Sequence, residues 1–405
     1  MDRLRPALRV SALLASGLLS CAGASPVTPS SETTGPRKAA TPRDPQGDRY
    51  TWEAWTRSPQ PLADEPDEPP CGASDRALRR VAERIAAREV VGKPPLDTAE
   101  ISFALRSEGA PYVWPRAWTL AGAFDGATER SKVDEWLRSP GDEGIARCAV
   151  ATVRARDGRQ ALAVVAVSVL ADLEPLPTRV TVGTWLDLRA VLHVPAPRVE
   201  VIVLGPRGRP HAVVASLTGA NVRARFRADR EGTWLVQVVA TTSKGPRVAA
   251  EALVAAGSDP PETLAYGSAP GEKLARSTAG PTDNVFSMVN GARSSEGLAA
   301  LQRDEALDHV ALEQAEAMRG TKTLSHGANG ESLDERLAAL NLRSAGENVA
   351  HATDLARAHR SLWRSPSHRE NLLHPAFELV GIGVAPDDDG TVWVCEIFAA
   401  RHPSQ

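Results

Sequence analysis

A repeated motif constrains the fold of this 405-residue chain more than any other feature. Asp75-Arg76-Ala77-Leu78-Arg79-Arg80-Val81-Ala82 returns as Asp304-Glu305-Ala306-Leu307-Asp308-His309-Val310-Ala311. The shared pattern, Asp-x-Ala-Leu-x-x-Val-Ala, has the apolar spacing of one helical face. Further matches follow in the same order. Leu105-Arg106-Ser107-Glu108-Gly109 parallels Leu342-Arg343-Ser344-Ala345-Gly346, and Trp136-Leu137-Arg138-Ser139-Pro140 parallels Trp363-Arg364-Ser365-Pro366. Each tryptophan segment is followed by a strand, an Asp-Gly turn (Asp157-Gly158 and Asp389-Gly390) and a second strand. One match is chance; several in one order predict two α/β units, at 71–172 and 283–402. The competing reading is an unrelated first α/β domain with coincidental matches. On the duplication, Ala110 stands where the second unit has Glu347, and residues 71–172 contain no histidine. The first unit is then expected to keep the fold and lack the polar site.

Residues 173–256 read differently. Val199-Glu200-Val201-Ile202-Val203, Val222 to Phe226, Trp234 to Val239 and Val248 to Val254 are short β-rich runs separated by Gly, Pro and Asp-Arg turns. Several such runs in succession predict an immunoglobulin-like β-sandwich. A linker at 257–282 joins it to the last unit. The fold class expected is α+β.

Seven of the nine histidines lie beyond residue 300. Four polar residues there, His326, Glu347, His368 and Glu396, each sit in a short Gly- or Pro-punctuated segment and supply the donors of a weak divalent-metal site. The segments are Leu324-Ser325-His326, Gly346-Glu347-Asn348-Val349-Ala350, Ser365-Pro366-Ser367-His368-Arg369-Glu370-Asn371, and Val380-Gly381-Ile382-Gly383-Val384. With Asn290-Gly291-Ala292-Arg293 and Gly297-Leu298 upstream, the series resembles the CAP superfamily of cysteine-rich secretory, antigen 5, pathogenesis-related and bacterial SCP-like proteins. The resemblance covers about residues 283–402 and implies an α-β-α sandwich there. It makes the first unit a degenerate CAP-like domain.

Helical faces in that unit are legible directly: Val285, Met288 and Ala292, then Leu307, Ala311, Ala315 and Met318. Ser332 and Glu335 form a capping-box pattern, Thr353 is placed to cap the next helix, and Ser365 with Pro366 starts a short helix carrying His368.

The resemblance assigns His326 and His368 as the divalent-ion ligands and Glu347 as the carboxylate that orients an imidazole. Asn348 belongs to the same cleft. The best-known animal pattern has a second glutamate three places after its tryptophan, where this chain has Pro366. Glu396 on the last strand either replaces that carboxylate or pairs with Arg369 or Arg401. Two histidines and one or two carboxylates make a weak zinc site. No Gly-x-Ser-x-Gly and no His-Glu-x-x-His occurs. The leading expectation is therefore a cleft that binds an unknown lipid, small molecule or protein; the alternative is a metal-dependent hydrolase acting on envelope polymers or extracellular protein. His309, His351, His359, His374 and His402 read as surface or helix-end residues.

The first residues predict location. Arg3, Arg5 and Arg9 precede an apolar run from Val10 to Leu19, too short to span a bilayer, and Leu18-Leu19-Ser20-Cys21 has a lipobox pattern. Residues 1–21 read as a lipoprotein signal peptide with Cys21 the lipidated residue, and 22–70, rich in Pro, Ser, Thr and charge, as a disordered tether. The expectation is an exported protein, anchored to membrane through Cys21, with the outer membrane as the destination in a cell that has one, since Ala22 gives no inner-membrane retention signal. A net charge of -3 gives no support to a nucleic-acid role. Of the remaining cysteines, Cys71 and Cys148 bracket the first unit and are the candidate disulfide, with Cys395 a buried thiol in a strand.

Overall fold

The computed structural model describes residues 11–13, 76–122, 127–138, 143–155, 157–243, 245–264, 267–276 and 278–402. Cys21, the expected tether at 22–70 and Cys71 lie outside them, as does most of the expected signal sequence. Among the described residues no helix is long and apolar enough to cross a membrane.

The first unit contains β1 (Ser11–Leu13), α1 (Arg76–Val90), α2 (Thr98–Ser107), β2 (Arg116–Ala121), α3 (Ala127–Leu137), β3 (Ile145–Arg154) and β4 (Gln160–Val169). Its antiparallel sheet runs β1-β2-β4-β3. The outer strand β1 falls within the expected signal sequence, a place that cleavage would vacate. Leu78, Val81 and Ile85 of α1 pack on Ala149, Ala163 and Val165, while Val133 of α3 covers the opposite face over Trp118 and Val164. Asp97 and Glu100 close a capping box on α2. Cys148 is disulfide-bonded to a cysteine outside the described residues.

Next come β5 (Ala171–Leu173), β6 (Arg179–Val180), β7 (Thr184–Leu192), β8 (Arg198–Leu204), β9 (His211–Val213), β10 (Ala215–Thr218), β11 (Asn221–Ala228), β12 (Gly232–Thr242) and β13 (Gly245–Ala256). They form two sheets, β10-β11-β7-β5 and β6-β13-β12-β8-β9, packed face to face around Leu188, Phe226, Trp234 and Val254. On β7 and β11 buried and exposed residues alternate strictly, whereas β12 and β13 are buried almost without a break. The difference has a direct cause: a strand covered on both faces needs apolar residues on both. Leu204, Leu235 and Leu253 turn outward from the five-stranded sheet into the core of the first unit.

The last unit comprises α4 (Pro281–Ser295), β14 (Gln302–Arg303), α5 (Glu305–Thr321), α6 (Leu333–Leu337), β15 (Leu342–Ala352), α7 (Leu355–Arg364), α8 (Pro366–Leu372), β16 (Leu379–Pro386) and β17 (Val392–Arg401). Its sheet runs β14-β16-β17-β15. Leu307, Ala311 and Met318 of α5 pack with Val349, Cys395 and Ile397 on one face; α4, α7 and α8 pack with Ala350, Val394 and Phe398 on the other. Gly381 and Gly383 explain how α5 lies so close to β16. A Cβ on Gly381 would stand 2.2 Å from the carbonyl carbon of Leu307, and one on Gly383 2.1 Å from the carbonyl oxygen of Ala311.

Strand order relates the outer units. Neglecting β1 and β14, β2-β4-β3 and β15-β17-β16 are both antiparallel, with the first strand next to the last, and each sheet lies between helices. The Leu105–Gly109 match does not follow this equivalence, because Leu105 ends a helix while Leu342 begins a strand. Ala110 therefore precedes β2 and is not the positional counterpart of Glu347 within β15.

Three local expectations change. Asp354, not Thr353, caps α7, its carboxylate accepting the Arg357 N–H at 2.8 Å. The 257–282 segment docks on the last unit: Glu272 pairs with Arg360, and Pro270 O accepts from His359 Nε2 at 2.9 Å. His359 is consequently buried, not a surface residue.

Candidate functional site

Glu347 lies on β15 with its side chain toward the α5 face, buried beside His326 and Arg336. Oε2 is 2.7 Å from His326 Nδ1, and Oε1 accepts from Arg336 Nη2 at 2.7 Å. Burial alone would raise this carboxyl, but the His326 hydrogen bond and the His326 and Arg336 charges outweigh it and hold Glu347 below its ordinary value. An ionised carboxylate only accepts, so Nδ1 of His326 donates to it and Nε2 is the ring nitrogen left to face a ligand. Arg336 Nη2 also donates to His326 O at 3.0 Å, fixing the loop that carries the imidazole. Sequence reasoning missed Arg336. The Ser332–Glu335 capping box that builds α6 was the available signal, since it places Arg336 on a short helix next to His326.

His368, Asn348 and Glu396 gather on the opposite face. In the β15–β17 register Asn348 faces Glu396 while Glu347 faces Ile397, and side chains alternate from face to face along a strand. Glu396 therefore points toward α8, away from Glu347. Asn348 Nδ2 donates to His368 O at 3.0 Å and to Glu396 Oε2 at 3.2 Å, and Asn348 Oδ1 accepts from Asn371 Nδ2 at 3.0 Å. Glu396 pairs with neither Arg369, which bonds Glu296, nor Arg401, which is exposed at the strand end. Burial pushes its pKa up to about 7 against a weaker downward pull from Asn348. Burial, with a smaller contribution from the His326 charge, pushes His368 down to about 3, so this imidazole is neutral. Nδ1 of His368 and Oε1 of Glu396 are both buried without a hydrogen-bond partner.

Ser325 and Ser367, sequence neighbours of the histidines, are engaged elsewhere: Ser325 Oγ accepts the Gly327 N–H, and Ser367 Oγ contacts Ser365 Oγ. Among the described residues no three His, Cys, Asp or Glu side chains converge to hold a metal ion. Alternation along the strands keeps Glu396 on the opposite face from Glu347. A metal bound here would have His326 Nε2 and His368 as its protein ligands, with Glu347 orienting His326. Cys395 is buried and free, its Sγ 3.4 Å from Glu347 Oε1; burial, then the Glu347 charge, raises the thiol far above its ordinary value.

The sandwich covers this site. A Cβ on Gly245, at the β12–β13 turn, would lie 3.1 Å from His326 Cβ. At α8, Ser365 makes no side-chain cap bond. Instead Gln237 Oε1, from β12, accepts the Ser367 N–H at 3.0 Å, so the sandwich caps the helix that carries His368. Gln237 Nε2 donates to Glu251 Oε2 at 2.8 Å, and Glu251 Oε1 accepts from Arg106 of the first unit. Arg106, Glu251, Gln237 and Ser365 are all buried. A continuous buried polar chain thus runs from the first unit through the sandwich to the helix of His368.

Residues 286–397 match the model of the cysteine-rich secretory protein family, CAP. The C-terminal unit is a CAP domain. The Bacillus subtilis (strain 168) protein YkwD, itself uncharacterized, is 27% identical over 141 residues, which are 32% of this chain and 54% of YkwD. The chain thus spans about half the length of that curated relative. Among solved structures, an outer surface protein of Borrelia burgdorferi is 23% identical and covers 30% of this chain and 92% of its own, with a TM-score of 0.28. An extracellular SCP-domain protein of Bacillus anthracis is 18% identical, covers 53% and 82%, and has a TM-score of 0.27.

Proposed function

We propose that this chain is an exported, lipid-anchored protein of the bacterial envelope or surface whose CAP domain binds a ligand or partner through a His/Glu cleft, to which His326–Glu347 and His368–Glu396 contribute from the two faces of the sheet. Cys21 and the 22–70 segment would serve as anchor and tether. The observation that carries the binding role is the pair of unpartnered buried atoms, His368 Nδ1 and Glu396 Oε1. A buried polar atom left unpaired costs about 1–3 kcal/mol, and a ligand that meets both atoms recovers that energy. The sandwich is read as an immunoglobulin-like spacer and cover, a reading supported by its two face-packed sheets, antiparallel except for the β6–β13 pair. The first unit is read as a degenerate CAP copy, supported by the shared strand order.

Zinc is a weak ligand candidate on this reading, held by His326 and His368. The test is calorimetric titration of the full chain with zinc, alongside a thermal-shift screen of fatty acids, sterols and phospholipids. Each is repeated on His326→Ala/His368→Ala. Binding that disappears in the double variant supports the cleft. Equal responses of both proteins, or none in either, refute it.

A further inference from the structure

The two faces of the sandwich differ in a way that the cleft does not use. Its five-stranded sheet is covered by the first unit and by α8, whereas the outer face of β10-β11-β7-β5 is exposed. On that face β11 presents Arg223, Arg225 and Arg227, and β7 presents Trp185, Asp187, Arg189 and Val191. In the antiparallel register Arg227 faces Trp185, Arg225 faces Asp187 and Arg223 faces Arg189. Asp187 pairs with Arg225 at 3.3 Å and Glu174 reaches Arg189 only at 3.9 Å. Asp172 of β5, opposite Val191 on this face, is taken by Arg147 at 3.3 Å, and Arg227 Nε donates to Gly183 O at 3.0 Å. The four arginines of β7 and β11 therefore stand against Asp187 and Glu174, on a chain whose formal net charge is -3.

Two details separate this face from an ordinary solvated sheet. Arg223 directly opposite Arg189 is a like-charge cross-strand pair, which destabilises a sheet unless an anion sits between them. Trp185 is 54% exposed, and the Arg225 guanidinium lies 5.1 Å above its ring. Charges alone would keep a sheet from aggregating; an exposed indole does the opposite. No lysine occurs on β7 or β11. Arginine is the side chain whose planar fork binds carboxylate or phosphate in two-point fashion.

We propose that the β7–β11 face binds an extended acidic polysaccharide. The β11 guanidinia recur about every 7 Å along the strand and engage its carboxylates or phosphates. Trp185, at the end of the row, stacks on the apolar face of a sugar ring. A flat anionic membrane fits less well, because Asp187 and Glu174 sit within the patch and, on β7 and β11 themselves, the exposed large apolar groups are Trp185 and Val191 alone. An acidic polypeptide would use the arginines without needing the indole.

The test is titration of the full chain with polygalacturonate at 50 and 200 mM salt. Poly-L-glutamate and phosphatidylglycerol vesicles serve as competing probes. Every altered residue is on the solvent face, and thermal melts check that the variants remain folded. Expected are saturable polygalacturonate binding that weakens about tenfold between the two salts through counterion release, and a loss of tenfold or more in Arg223→Ser/Arg227→Ser. Trp185→Ser should weaken binding several-fold while leaving the salt dependence intact. The proposal is overturned if polygalacturonate does not bind, if the arginine variant binds equally well, or if Trp185→Ser is neutral. Tighter binding to polyglutamate or to the vesicles overturns it as well.

Discussion

Replacing Glu396 by glutamine should stabilise the protein above neutral pH and change nothing in acid. Glu396 is fully buried on β17, accepts one hydrogen bond from Asn348, and leaves Oε1 unpaired. Burial raises its pKa from the ordinary value of 4.5 to about 7. Between those values the folded state holds a proton that the unfolded state has released, so stability is full below 4.5 and falls as pH rises through 7. At about 1.4 kcal/mol for each tenfold change in proton affinity, the loss by pH 8 is about 3 kcal/mol. Glutamine keeps the shape and offers Asn348 the same acceptor without a charge. Urea unfolding at pH 4.5 and pH 8 measures the effect: E396Q should match wild type at the lower pH and exceed it by about 3 kcal/mol at the higher. His368 works in the opposite sense. Its neutral form is buried, so stability is lost as pH falls below 6.5 toward 3, but both proteins carry this term and it cancels. A difference independent of pH, or a loss at pH 8, would refute the reasoning and mean that a cation or ligand compensates the carboxylate.

Three other sites give sharp expectations. Arg106→Met leaves the Glu251 carboxylate buried with only Gln237 as partner, which should cost about 3–5 kcal/mol at pH 8. Because burial raises Glu251 to about 7, it takes up a proton in acid, and the cost measured by urea unfolding at pH 5 should be smaller. Adding Glu251→Leu should recover most of the loss. Gly381→Ala forces α5 off β16 and should cost about 3 kcal/mol, the scale of overpacking. Gly320→Ala, where a Cβ meets nothing within 4 Å in the same α5, should gain up to about 1 kcal/mol in a thermal melt.

Local patterns carried much of the fold. The 3.6-residue spacing of Leu307, Ala311, Ala315 and Met318 gave α5, and the Ser332–Glu335 box gave α6, because each depends only on neighbours in sequence. The β-rich runs at 199–203, 222–226, 234–239 and 248–254 gave strands of the sandwich, but which faces are covered, and by what, depends on the other units. What escaped was what needs three dimensions. Glu347 and Glu396 look like two carboxylates of one site until the β15–β17 register sends them to opposite faces of the sheet. Thr353 and Asp354 both suit a cap, and only the backbone decides. Arg336 is one arginine among many until α6 folds against His326.

The same limit explains Gln237, and with it the relation between the domains. A glutamine in a run as apolar as Trp234 to Val239 reads as a defect in a strand. In the fold it is the joint of the molecule, with its carbonyl capping α8 and its amide held by Glu251, which is held in turn by Arg106. A buried amide is tolerated only when its donors and acceptor are met, and here they are met by Glu251 of the sandwich and by Ser365 and Ser367 of the last unit, with Arg106 of the first unit one bond further on. The CAP domain's His368 is therefore positioned from outside its own domain. Any ligand that needs α8 or the His326 loop to move must work against that polar chain and against the Gly245 turn.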